Sequence, residues 1–151
     1  MEKIFIRLRY LFFNKEITIV DNDRTYIFRT AHKKLFKYML EEIHDRNIAL
    51  VRNASLLKIR WDISINDETW QMTRRLGSSE ILFSNGSDFV SFSEEQKTLL
   101  SGSQKVLEWS YKKPFLKKAP ELEVMLYSRE HYTLLLPYMA VLAYDSDAGE
   151  D

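Results

Sequence analysis

Cysteine is absent from the 151 residues, which removes a disulfide framework, a thiolate nucleophile and a cysteine-ligated zinc and suits a reducing cytoplasm. Glycine occurs four times and proline three, too sparse for the glycine-rich loops that cradle phosphate groups. An excess of either charge is also missing. Lysine and arginine number 22, aspartate and glutamate 22, so no global field draws the chain to nucleic acid or to a membrane, and any electrostatic site has to be local. Nor is there a membrane-spanning run: Tyr132–Tyr144 is free of charge over 13 residues, where a spanning helix needs about 20. The opening MEKIFIRLRYLFF resembles a signal peptide only superficially, because Arg7 and Arg9 interrupt its apolar middle and no small-residue cleavage site follows. Without an export signal, the Asn-x-Ser patterns at Asn53 and Asn85 read as turn asparagines rather than glycosylation sites.

What the chain does have is apolar residues with a period of two. Hydrophobic residues make up 45% and aromatics 13%, enough for one buried core in a single domain of this length. In KIRWDISIN, Ile59, Trp61, Ile63 and Ile65 alternate with polar residues and so share one face of a half-buried strand. Similar alternation runs through Ile4, Ile6, Leu8, Tyr10 and Phe12, through Leu107, Trp109 and Tyr111, and through Leu122, Val124 and Leu126. Strands buried on one face only are antiparallel by habit. Short polar turns separate them at Asp21-Asn22-Asp23, Asp45-Arg46-Asn47, Asn66-Asp67 and Asn85-Gly86, all residue types that tolerate the left-handed backbone of hairpins. The exception is Ser93 to Ser103, SEEQKTLLSGS, where a Ser-x-Glu start and a glycine stop suggest a single helical turn or a loop. IVDNDRTYIFR (Ile19 to Arg29) and IHDRNIALVR (Ile43 to Arg52) look like one hairpin used twice, which suits a pseudo-repetitive barrel.

Tyr132–Tyr144 has no charged face, so it cannot lie along a membrane surface as an amphipathic helix does; a segment apolar on all sides belongs inside something. Its leucines and alanines favour helix. Ser128 serves as the cap and Glu130 suits the first turn, which gives an expected helix over about 128–144. Pro137 allows two geometries: a helix kinked there, which is preferred, or an extended lead-in to a helix that starts at the proline. Burial of several leucine-sized side chains at about 2 kcal/mol each outweighs a proline penalty of about 3 kcal/mol. Residues 146–151 form an acidic, flexible tail.

ITIVDNDRTYIFR, YMLEEIHDRNIALVRNASLLKIRWDISI and EHYTLLLPYMAVLAY, taken in that order, carry a resemblance, covering Ile4 to Tyr144, to the tubby C-terminal-like superfamily, which includes tubby proteins, LURP-one-related proteins, phospholipid scramblases and small bacterial relatives. The resemblance implies a mainly β fold, a closed antiparallel barrel of about twelve strands around a hydrophobic C-terminal α-helix, within one domain over 1–145. It also implies a function at lipid head groups, since phosphoinositide binding and lipid movement occur in the superfamily. No position matches a phosphoinositide pocket, so fold carries over and no site does.

The local feature with most chemical meaning is KKPFLKK. Lys112, Lys113, Lys117 and Lys118 flank Phe115 and Leu116, and Pro114 and Pro120 keep the stretch out of a regular central strand. Such a tip can press Phe115 and Leu116 into a membrane while its lysines meet anionic head groups; at about 1 kcal/mol per lysine the charges contribute about 4 kcal/mol, millimolar affinity. Other patterns carry less. Arg7, Arg9 and Arg74-Arg75 read as charged protection of strand edges, and His32, His44 and His131 are too scattered for a metal site. Asp21-Asn22-Asp23 begins like a calcium loop but has Tyr26 at the glycine position. Glu94-Glu95 puts its carboxylates on opposite faces of a strand, and Ser101-Gly102-Ser103 lacks a nucleophile elbow. The expectation is a cytoplasmic, non-enzymatic binding module, peripheral at a membrane, with no cofactor, metal or nucleic acid. Its partner is an anionic phospholipid or, in the competing reading, a protein held at exposed strand edges.

Overall fold

The structure, a computed structural model, describes residues 2–11, 14–32, 37–42, 47–54, 58–65, 67–112 and 121–145. Twelve strands and one helix lie among them: β1 (Glu2–Leu11), β2 (Asn14–Asp21), β3 (Arg24–His32), β4 (Lys37–Glu42), β5 (Asn47–Ala54), β6 (Lys58–Ile65), β7 (Glu68–Arg75), β8 (Glu80–Ser84), β9 (Phe89–Glu95), β10 (Thr98–Ser101), β11 (Gln104–Lys112), β12 (Glu121–Leu126) and α1 (Tyr132–Asp145). All strands belong to one antiparallel sheet in which each pairs with the next in sequence. The first strand has two partners: Ile4 to Leu11 face β2, with Ile6 opposite Ile19, and Glu2 to Arg7 face β12, with Ile6 opposite Leu122.

Period-two patterning sets which face is covered. Along β6, Trp61, Ile63 and Ile65 are buried and Ile59 is half-buried, with Asp62 and Ser64 on the other face. The register repeats the pattern across the ladder, Trp61 opposite Met72 and Ile63 opposite Trp70. Ile4, Ile6 and Leu8 of β1 and Leu122, Val124 and Leu126 of β12 turn to the same core. Phe83 and Phe92 meet there edge to face at 5.8 Å, the arrangement that places the positive edge of one ring over the negative face of another.

The helix is the other half of that core. Leu134, Leu135, Leu136, Tyr138, Met139, Ala140, Val141 and Ala143 are all buried and join one cluster with the inward residues of the strands, as a segment apolar on all sides requires. Phe28 of β3 packs edge to face on Tyr144 at 5.7 Å. No helix among the described residues is long and apolar enough to cross a membrane.

Several local expectations need correction. The helix starts at Tyr132, not near Ser128: the Ser128 hydroxyl accepts the Glu130 amide at 3.2 Å and so closes a turn ahead of the helix. The reversal falls at His131, with φ 61°, whose carbonyl accepts the amides of Leu134 and Leu135 at 2.9 and 3.0 Å. Such a φ cannot belong to a right-handed helix interior. Pro137 neither starts nor stops the helix but lies within it; its missing N–H deprives the Thr133 carbonyl four residues back, and Thr133 is exposed, so water can serve that acceptor. The stretch from Ser93 is neither helix nor loop: β9 turns at Gln96-Lys97 into β10, which turns at Gly102-Ser103 into β11. Asn53 lies on β5 opposite Arg60, while Asn85 does sit in a turn, where its Oδ1 accepts the amides of Ser87 and Asp88 at 3.1 and 2.7 Å. The expected turn residues Asp45, Arg46 and Asn66 and the tail 146–151 lie outside the described residues.

Candidate functional site

The helix leaves little room beside it. The cleft between α1 and strands β6 to β8, lined by Ile59, Trp61, Met72, Ile81, Tyr138 and Val141 with Arg74 at its mouth, encloses about 20 Å³, space for one water molecule and far below the several hundred Å³ of a small-molecule site. A larger depression of about 550 Å³ on β9 to β11 is lined by Glu95, Gln96, Thr98, Leu100 and Lys105; it is open, and its two charges cancel.

Two polar clusters tie the helix to the sheet. In the first, Arg129 donates from Nη1 and Nη2 to Asp21 Oδ2 and Oδ1 at 3.0 and 2.8 Å and from Nε to Glu2 Oε2 at 2.8 Å. The Tyr132 hydroxyl also donates to Asp21, and the Arg129 guanidinium lies 4.8 Å from the centre of the Tyr132 ring. Burial pushes the Asp21 carboxyl up, but the hydrogen bonds from Arg129 and Tyr132 overcome it and hold the group below the usual aspartate value. The Arg129 hydrogen bond likewise lowers Glu2. Burial, reinforced by Asp21, raises the Tyr132 hydroxyl. In the second cluster, Glu94 Oε2 accepts Arg74 Nη2 at 2.6 Å and the Tyr138 hydroxyl at 2.5 Å, and burial together with the Glu94 charge raises Tyr138. The Asp21 carboxylate, held ionised with its lone pairs already engaged, fastens the lead of the helix to the sheet and is poorly suited to take a proton from a substrate.

These placements revise the sequence reading of the charged residues. Asp21, read as a turn residue, is 3% exposed and holds Arg129 across 108 positions. Arg74, read as edge protection, turns inward to Glu94, whereas Arg7 does face outward, 3.8 Å from Glu121. Among the described residues no three histidine, aspartate or glutamate side chains could hold a metal ion together. Lys112 ends β11 opposite Glu121, and Lys113, Phe115, Leu116, Lys117 and Lys118 lie outside the described residues.

No family model matches the chain, and neither a curated protein nor a solved structure is detectably similar to it. The function has to be read from the arrangement itself.

The most informative arrangement is the order of the connections. Because each strand pairs antiparallel with the next, successive connections fall alternately at the two rims of the sheet. At the rim of Asp21 and Glu2 the described connections are ND at 22–23, Asp67, NGSD at 85–88, GS at 102–103 and the lead to the helix, YSREH, at 127–131. At the opposite rim they are LGSS at 76–79 and QK at 96–97. The first set holds four acidic residues and one arginine; the second holds Leu76 and Lys97 and no acidic residue, with Glu80 and Glu95 beside it in the flanking strands. Among the described residues the acidic connections thus gather at the rim of Asp21 and Glu2.

Proposed function

We propose that the protein is a non-enzymatic module that binds an anionic lipid surface, that its strands form a closed barrel plugged by α1, and that it is a distant member of the tubby C-terminal-like superfamily. The pairing of β1 with both β2 and β12 supports the closed form, and the order of strands followed by a buried terminal helix supports the kinship. What supports the functional reading is the sequence from Lys112 to Lys118, KKPFLKK, which joins four lysines to Phe115 and Leu116. Lipid interfaces select this pairing, because lysine meets the anionic head groups while apolar side chains enter the boundary beneath them.

Lys112, Lys113, Lys117 and Lys118 contribute about 4 kcal/mol, millimolar binding. Phe115 and Leu116 add to it by insertion. Cosedimentation with phosphatidylserine-containing vesicles at low salt tests the reading, with phosphatidylcholine vesicles as the neutral comparison. Binding to the anionic vesicles that weakens as salt is raised is expected. Equal recovery with both lipids, or none with either, overturns it.

A further inference from the structure

We propose that Asn85-Gly86, in the hairpin turn between β8 and β9, is a site of spontaneous modification: the turn promotes closure of the Asn85 side chain onto the Gly86 nitrogen, loss of ammonia, and conversion of Asn85 to aspartate and isoaspartate. The proposal is independent of the lipid-binding reading. Asparagine occurs six times in the chain, and Asn85 alone precedes glycine. A side chain on the following residue crowds the attack of that residue's nitrogen on the asparagine side chain, and glycine has no Cβ to do so. Gly86 is exposed, with φ 98°, and a Cβ built on it would meet nothing within 4 Å. Water and base therefore reach its nitrogen.

Negative charge develops on Asn85 Oδ1 as the nitrogen adds to Cγ, and that oxygen already faces three donors: the amides of Ser87 and Asp88 at 3.1 and 2.7 Å and the Ser87 hydroxyl at 3.2 Å. Donors fixed in advance around an oxygen that turns anionic stabilise the addition. The Gly86 N–H donates to Ser84 Oγ at 3.3 Å, an acceptor on the path of the proton that the nitrogen sheds. The Asn85 amide on the Asp88 carbonyl at 3.0 Å holds the turn in this form. In the reaction the bond from Gly86 N to Asn85 Cγ forms, the bond from Cγ to Nδ2 breaks, and Nδ2 leaves as ammonia with the proton lost from Gly86. Water then opens the cyclic imide, at Cγ to give aspartate or at the main-chain carbonyl to give isoaspartate. Either product adds a negative charge beside Asp88, at the rim where the acidic connections gather.

The test follows the full chain at mildly alkaline pH, folded and in guanidinium chloride, by released ammonia and by the masses of its proteolytic peptides. The mass gain of amide-to-acid exchange is expected in the peptide that holds Asn85, about tenfold faster in the folded chain than in the unfolded one, where the three donors are dispersed. Ser87→Ala removes the hydroxyl donor from an exposed position, so it should slow the folded chain about threefold and leave the unfolded chain unchanged. Asn85→Asp keeps the acceptor oxygen and has no ammonia to lose. Conversion that is no faster in the folded chain than in guanidinium chloride overturns the role of the turn and with it the proposal. A mass gain confined to another asparagine, or ammonia release undiminished in Asn85→Asp, overturns the site.

Discussion

Arg129 shows how a surface-lying side chain can matter to the core. Its partner Asp21 is buried, and a carboxylate left alone there would keep its desolvation penalty without the interaction that offsets it. Arg129 is itself about two-fifths exposed, so water recovers part of the loss. Arg129→Ala is expected to cost about 2 kcal/mol in urea unfolding, more than removal of an exposed arginine does. The pH dependence follows from the same contacts. Asp21 and Glu2 have lowered values in the folded chain, so their stabilisation is complete above the unfolded carboxylate range near pH 4 and is lost as pH falls through the folded values. Tyr132 and Tyr138 have raised values, so their contribution is complete below about pH 10 and is lost as pH rises. Unfolding measured from pH 3 to 10.5 should show a plateau with a falling limb on each side. Arg129→Ala should flatten the acid limb and a Tyr132→Phe, Tyr138→Phe double variant the alkaline one; unchanged limbs in both variants refute these assignments. None of this was legible in the sequence, because Asp21-Asn22-Asp23 satisfies the chemistry of a hairpin turn by itself and its partner lies 108 positions away.

Among the elements, α1 and β10 mark what local pattern can and cannot carry. The helix was readable because it is apolar on every side, and the buried run from Leu134 to Val141 follows from that alone. Its first residue was not readable, since Ser128 and Glu130 are good capping residues that serve the preceding turn instead. The hairpin from β9 to β10 was hidden for a different reason. Its turn residues Gln96 and Lys97 both have positive φ, 46° and 64°, the backbone of a type I′ turn, which Asn-Gly or Asp-Gly normally announces. Glu95 opposite Thr98 and Glu94 opposite Leu99 hold that turn against the preference of its residues. Lys97→Gly should therefore raise stability by about 1 kcal/mol in urea unfolding. A fall in stability would mean that the lysine side chain supports the fold.

At the scale of the molecule, the zero net charge conceals the polarity, and the sorting of the rims depends on counting strands correctly. Joining β9 straight to β11, as the sequence reading of Ser93 to Ser103 does, removes one strand and moves the lead to the helix, with Glu130, to the opposite rim. With the hairpin in place, the acidic rim makes a quantitative demand on the lipid binding proposed above. A strand of about 8 residues spans about 26 Å, or about 20 Å along the axis once tilted. That exceeds two Debye lengths at physiological ionic strength, about 8 Å each, but lies within the about 30 Å of 0.01 M salt. Asp67→Asn, Asp88→Asn and Glu130→Gln together neutralise three exposed acids of the far rim. If attraction followed net charge, this variant would bind anionic vesicles more tightly at every salt concentration. If the acidic rim faces away from the bilayer, it should match the parent chain within about twofold near 0.15 M and exceed it only near 0.01 M, where the field of the far rim reaches the bilayer. Vesicle titrations at the two salt concentrations measure the difference, and a gain of tenfold or more at 0.15 M would show that the acidic rim lies against the lipid.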